Sequence, residues 1–310
     1  MLELWQFTWL LAIACALVSF QSNFCRGFVL QGKMRTSAQL PGLWLLHLEV
    51  PKSYWTWFYL IGALHSILML LVALFWQKMQ VVQDVLHFAH PLEETDVVMI
   101  QPHIIKFLTL FAVHTTRRFL ESLLVTEFGD AKMHACSRLQ YILLLKSADN
   151  FKLMMASLLR CLVLFVGTYH YVVTVVSVLF DPDSIRMHKE TTLRHVMLGW
   201  GIVLFAFASY HQMRCNYLLA KQKRANYMKH VVPHGDWFDT VRNPLYTTEI
   251  MLYASFILVT GGTTAMLYLV SAWVVANQVL LANMSSQWIE NKFRDRRNEL
   301  PKWKLVPFVW

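Results

Sequence analysis

His114, Arg117, Arg118 and Glu121 interrupt an otherwise apolar stretch. Their spacings of three, four and seven place all four on one face of a helix. A charged group at the middle of a membrane helix costs about 2.5–3.5 kcal/mol on insertion scales, so a stripe of this kind cannot face lipid and requires partners. Two chemistries satisfy it: an internal salt-bridge knot in which Glu121 holds Arg117 or Arg118, or a polar cavity that receives an anionic ligand. A second constellation is His211-Gln212-Met213-Arg214-Cys215-Asn216, followed by Lys221, Lys223 and Arg224. His211, Arg214 and Cys215 share one helical face, and Gln212 and Asn216 share the next. Amides at the end of an apolar helix beside basic residues suit a phosphate-rich cofactor with an aromatic head, because guanidinium and ammonium groups bind phosphate strongly. Ordinary positive-inside bias would explain the lysines but not the amides. The third constellation runs from Pro233-His234-Gly235-Asp236-Trp237-Phe238 to Asn243-Pro244-Leu245-Tyr246-Thr247-Thr248-Glu249. Pro244 suits the first turn of a helix with Asn243 as its cap, and Tyr246, Glu249 and Tyr253 then share a face. A carboxylate at the start of a membrane helix, next to a Gly-Asp-Trp loop, reads as the wall of a ligand site.

The elements that position these groups follow from composition. Of 310 residues, 56% are apolar and only 15% charged, against roughly 25% charged in soluble domains. With a mean hydropathy of +0.40, this excludes disorder and favours the bilayer as solvent. The net charge of +9 reads as basic residues gathered in cytoplasmic loops, so no nucleic-acid partner is expected. Seven segments meet the length of about 20 residues needed to cross the hydrocarbon core: roughly 4–21, 54–76, 104–126, 153–180, 193–219, 244–262 and 265–289. The shorter apolar run 134–145 reads as an interfacial or packed helix. With that alternation, nineteen Lys and Arg collect in loops on one side and three on the other. The excess marks a cytosolic C-terminus. The expected fold class is therefore all-α, a multi-pass membrane protein of about seven transmembrane helices.

The chain shows no internal repeat, low-complexity tract or long linker, so one compact membrane domain is expected. Within it, residues 1–53 form an N-terminal span and basic linker, 54–192 the substrate-side helices, and 193–310 the cofactor-side helices and basic tail. Glu3 stands where a signal peptide would carry basic residues, so the first span reads as a retained anchor. The five cysteines form no C-x-x-C pair and read as free thiols, and the 13 histidines stand singly, so no metal site is expected. Neither a G-x-G-x-x-G turn after a strand nor a P-loop occurs, so any dinucleotide is held without a Rossmann loop.

Taken together, the Gly-Asp-Trp-Phe loop, Asn243-Pro244-Leu245-Tyr246 with Glu249, His114-Thr115-Thr116-Arg117-Arg118 with Glu121, and Pro307-Phe308 resemble the steroid 5α-reductase family. The resemblance covers about residues 45–126 and 195–310. Glu49-Val50-Pro51-Lys52, Gly235-Asp236-Trp237-Phe238 and His211-Gln212 with Cys215 are most similar to the branch acting on long-chain polyisoprenoids in dolichol synthesis. It implies a seven-helix endoplasmic reticulum membrane enzyme that uses NADPH to saturate a carbon–carbon double bond conjugated to a carbonyl. Its cofactor would sit among the later helices, open to the cytosol, and its product would support protein N-glycosylation. The resemblance makes Glu49 the acid that hydrogen-bonds the substrate carbonyl, with His114 and Thr115 beside it as further catalytic candidates. It carries cofactor contacts onto Gln212, Asn216, Lys223 or Arg224, His230 and Glu249. Arg117, Arg118, His211, Asp236, Trp237, Asn243 and Tyr246 complete the cofactor-binding candidates.

The chain departs from the family at three places. Thr115 stands where the steroid enzymes carry a tyrosine, Val231 where relatives carry an arginine, and Ser286-Gln287-Trp288-Ile289 where relatives carry H-x-F-Y. Arg294, Arg296 and Arg297 are candidates to replace lost cofactor contacts. Hydride addition needs an electron sink, which a conjugated polyprenal has and an allylic polyprenol lacks, so the aldehyde is the expected acceptor. A steroid-type enone reductase and a prenyl-cysteine methyltransferase-like enzyme are the alternatives, with a non-catalytic lipid-binding or transport protein as a third.

Overall fold

The computed structural model describes residues 2–21, 49–75, 84, 99–128, 132–134 and 170–310. Among these, seven α-helices carry the architecture: α1 (Leu2–Gln21), α2 (Trp55–Phe75), α3 (Pro102–Leu124), α4 (His170–Leu179), α5 (Thr192–Ala225), α6 (Pro244–Val259) and α7 (Ala265–Lys292). Each falls on one of the seven expected segments. The all-α expectation holds, with one short ladder beside the helices. A three-residue antiparallel ladder pairs β1 (Glu49–Pro51) with β2 (Lys132–His134), Glu49 opposite His134. It joins the chain just before α2 to the chain after α3, whose close packing brings those ends together. The expected helix at 134–145 and the first part of the 153–180 span lie outside the described residues.

Local chemistry sets the helix ends. Pro102 opens α3, where its missing N–H costs nothing. The Thr191 side chain caps α5 by accepting from Arg194 N at 3.3 Å. Pro244 opens α6, but Asn243 makes no side-chain cap there; its amide turns instead toward α7 and the C-terminal tail. Gly261 and Gly262 end α6 at φ 71° and 72°, the left-handed region that glycine enters without steric cost.

Among the described residues, four helices are long and apolar enough to cross a membrane: α1 from Glu3, α2, α5 and α7. Their outward faces bear this out physically. Trp57, Ile61, Leu64, Leu68 and Leu71 form an exposed apolar stripe along α2, the surface a helix presents to lipid rather than water. On the inside, Phe107, Phe111, Phe256, Leu252 and Met266 are fully buried and form a core shared by α3, α6 and α7. Where α5 crosses α6, Gly201 lets the backbones meet: a Cβ there would lie 2.9 Å from Val259 N and 3.0 Å from Ser255 O.

The alternation places helix ends in two groups. At one end, Lys223 Nζ donates to Glu127 O and Arg224 pairs with the Glu127 carboxylate, so the C-terminal ends of α3 and α5 meet. The start of α6 joins them beside the end of α7, through Arg242, which pairs with Glu290 and donates to Pro301 O at 2.7 Å. At the other end, His103, Asp183, His188, Thr263 and Thr264 converge.

Candidate active site

The polar stripe of α3 closes into a network with α5 and α6. Glu121 binds Arg117 through one carboxylate oxygen and Arg118 through the other, the latter at 2.8 Å. Arg117 Nη2 also donates to Gln212 Oε1 and contacts His114 Nδ1 at 3.2 Å. Gln212 Nε2 donates in turn to Glu249 Oε2 at 2.7 Å. Glu249 Oε1 lies 3.4 Å from His114 Nε2, an ion-pair distance that is long for a hydrogen bond. Asn216 Nδ2 reaches Glu121 Oε2 at 3.3 Å and Thr126 Oγ1 at 3.2 Å. Two arginines face two glutamates, so the buried charge balances apart from His114.

Of the two chemistries open for this stripe, the salt-bridge knot is present. The amides that lysine bias could not explain are its cross-links: Gln212 is 1% exposed and bridges a guanidinium to a carboxylate. Helix spacing identified the members on each helix; only tertiary packing joins residues 95 apart.

Three phenols that sequence reasoning left aside, or used only as face markers, surround this network. Tyr59 of α2 accepts from Arg118 Nη2 at 2.8 Å, and that guanidinium carbon lies 4.9 Å over its ring. Tyr171 of α4 stacks obliquely on Tyr59 at 6.2 Å and lies 6.4 Å from the His114 ring. Tyr253 of α6, one turn beyond Glu249, is 1% exposed, and its hydroxyl has no hydrogen-bond partner among the described residues. Thr115, by contrast, donates to Phe111 O at 3.0 Å and Ala112 O at 3.2 Å in its own helix.

The remaining candidates fall into separate groups. His211 contacts Asp236 at 2.7 Å, Arg214 joins that carboxylate at 3.0 Å, and Trp237 lies 5.5 Å from the His211 ring. Gln222 clamps the same loop by donating to His234 O at 2.7 Å and accepting from His234 N at 3.0 Å. The Gly-Asp-Trp-Phe loop is thereby fastened along α5. Lys223 and Arg224 lie at the α5 end beside Glu127. His230 is exposed and meets Trp288 edge-on at 4.8 Å. Asn243 donates to Ser286 Oγ and Lys304 O, both at 2.9 Å, which ties α6 to α7 and the tail. Tyr246 is half-buried near the start of α6. Glu49 is placed through its backbone, in the ladder at the foot of α2.

At the opposite end, His103 Nε2 lies 3.0 Å from Asp183, and His188 also contacts that carboxylate, with the three ligand-type atoms within 4.8 Å of one another. Sequence spacing could not foresee this grouping, because the histidines stand 85 residues apart. Thr263 and Thr264 donate to the same carboxylate at 2.6 and 2.9 Å. Burial alone would raise the Asp183 pKa, but the hydrogen bonds from His103, Thr263, Thr264 and His188 outweigh it and hold the carboxyl well below its ordinary range.

In comparison with known proteins, residues 162–310, which hold α4 to α7 and the tail, match the family described as 3-oxo-5-alpha-steroid 4-dehydrogenase. Along most of its length the chain is also similar to polyprenal reductases. It is 28% identical to the one from Xenopus tropicalis over 293 residues, covering 90% of this chain and 86% of that protein. It is 27% identical to the Xenopus laevis polyprenal reductase, covering 84% and 78%, and 26% identical to the human one, covering 58% and 52%.

Proposed function

We propose that this chain is an NADPH-dependent oxidoreductase that saturates the α-isoprene double bond of a long-chain polyprenal, a step of dolichol synthesis that supports protein N-glycosylation. The observation that carries the reading is the buried network of His114, Arg117, Glu121, Gln212 and Glu249. It forms at the end of the bundle where the basic residues gather, in a chain that resembles polyprenal reductases. NADPH would supply the hydride. The donor set suits such a cofactor: Gln212, Asn216 and Glu249 are oriented by their neighbours, and Lys223, Arg224 and the exposed Arg297 offer phosphate partners at the helix ends. Arg117 Nε and His114 Nε2 are buried without hydrogen-bond partners among the described residues. Such groups are costly unless something binds there.

Glu49, beside α2, is the candidate acid at the carbonyl. The chain would cross the endoplasmic reticulum membrane seven times, with its C-terminus and cofactor opening in the cytosol and the polyisoprenoid tail in the bilayer. The test is reductase activity of membranes carrying the protein, with NADPH, on polyprenal, polyprenol and a steroid enone in parallel, scored by the mass gain of one H2. Turnover of polyprenal alone is expected. Turnover of the enone alone would move the substrate, and failure on all three would refute the reading. Glu49→Ala should abolish turnover while Glu49→Gln, which keeps a donor, retains part of it.

A further inference from the structure

We propose that Tyr253 supplies the second hydrogen-bond donor to the substrate's carbonyl oxygen, beside Glu49 and in place of a side chain at position 115. This rests on the reductase reading above. Three observations point to it. The Thr115 hydroxyl has a single proton, and that proton is directed at the α3 backbone, at Phe111 O and Ala112 O. Its short side chain makes the i to i−4 contact that threonine commonly adopts in apolar helices.

The second observation is the state of Tyr253. A fully buried hydroxyl without a partner is destabilising, and such groups are rare in folded proteins. Tyr253 is 1% exposed and has no partner among the described residues. A phenylalanine would pack there without that cost, so the retained oxygen calls for a ligand group that is present only part of the time. Position is the third. Tyr253 follows Glu249 by one helical turn, on the same face of α6. Its ring packs edge-on against Phe256, 5.5 Å away. Tyr253 is thus a neutral donor beside the charged network, set among apolar side chains.

The chemistry balances. When the β-carbon of the conjugated aldehyde gains a hydride, the π electrons move toward the carbonyl oxygen, which becomes an enolate. Tyr253 hydrogen-bonds that oxygen and passes its proton to it, leaving an enol and a phenolate. The enol takes up a proton from solvent water at the α-carbon and returns its own proton to the phenolate, which restores the tyrosine, so the net gain is one hydride and one solvent proton. A donor aimed at an oxygen that gains charge in a dry site is worth about 10²–10³-fold in kcat.

The test uses full-length protein in detergent, wild type and Tyr253→Phe, with citral labelled with ¹³C at its carbonyl as the probe. Without reductant, the infrared carbonyl band of bound citral should move to lower frequency in wild type and move part of the way back in Tyr253→Phe, where Glu49 alone donates. With NADPH, kcat should fall about 10²–10³-fold and KM change only a few-fold. The melting temperature should hold or rise, since no hydrogen bond to a described residue is lost, which separates this outcome from misfolding. If Tyr253→Phe keeps both the shifted band and near-normal kcat, the tyrosine assignment is overturned while the reductase reading stands. If wild type reduces neither citral nor polyprenal, the reductase reading falls and the proposal falls with it.

Discussion

Glu121 offers the most direct test of the knot that holds α3, α5 and α6 together. Its side chain is 5% exposed, and it is the acidic partner of Arg117 and Arg118, themselves 15% and 18% exposed. Removing one member of a buried ion pair costs about 3–5 kcal/mol, because the charge left behind stays desolvated. Glu121→Ala strands two guanidinium groups, but each keeps a neutral partner, Gln212 for Arg117 and Tyr59 for Arg118. The expected loss therefore lies near the lower limit, about 3 kcal/mol. At about 2–4 °C per kcal/mol for chains of 150–250 residues, that is a fall of roughly 6–12 °C in melting temperature. Thermal unfolding in detergent, followed by loss of the monodisperse peak on size exclusion, measures it. The double variant Glu121→Leu and Arg118→Met removes one charge of each sign and leaves Arg117 balanced by Glu249 across Gln212, so it should recover most of the loss. A Glu121→Ala protein that melts with wild type, or a double variant less stable than the single one, would refute the reasoning.

Two neighbouring glycines give a paired test at the α5 crossing. Gly201→Ala places a methyl group against the α6 backbone and should destabilise by about 1–3 kcal/mol, whereas Gly199, with nothing within 4 Å of its would-be Cβ, should accept alanine with a gain of about 0.5–1 kcal/mol; melting curves of the two variants decide it. Asn243→Ala removes the donor to Ser286 and Lys304 O, so the C-terminal tail should be cut sooner in limited proteolysis, with a stability loss of about 1–3 kcal/mol. For Asp183, the folded-state pKa is depressed below the unfolded value. The unfolded chain therefore binds its proton first as pH falls, and the stabilisation is complete above about pH 4 and lost below it. Asp183→Asn should flatten the acid limb of a melting-temperature profile, and an unchanged limb would sink that account.

The arrangement of the helices was largely legible in the chain, because burying a backbone in lipid demands long apolar helices and their lengths are written in composition. Each described helix falls on an expected span, four of them long and apolar enough to cross a membrane, and Pro244 opens α6 as the sequence suggests. The face that carries His114, Arg117, Arg118 and Glu121 was legible for the same reason, since a 3.6-residue period is a local property. The ladder of β1 and β2 was not: three residues on each strand carry no periodic signal, and they pair only because α2 and α3 bring their ends together.

The choice between a salt-bridge knot and an open anion site belongs to tertiary structure. It depends on whether Gln212, Asn216 and Glu249, up to 128 positions away from the stripe, arrive at the right depth and rotation. The same holds for the role of Asn243, a cap by sequence rules whose amide finds better partners on α7 and the tail, and for His103 with His188, which meet at one carboxylate despite their separation. It holds most of all for Tyr253. In sequence it only shares a face with Tyr246 and Glu249, and packing alone reveals that its hydroxyl is buried without a hydrogen-bond partner among the described residues. Periodicity and apolar length act between near neighbours and can be read along the chain, but which polar groups meet, and which is left unpaired, is decided by how whole helices dock.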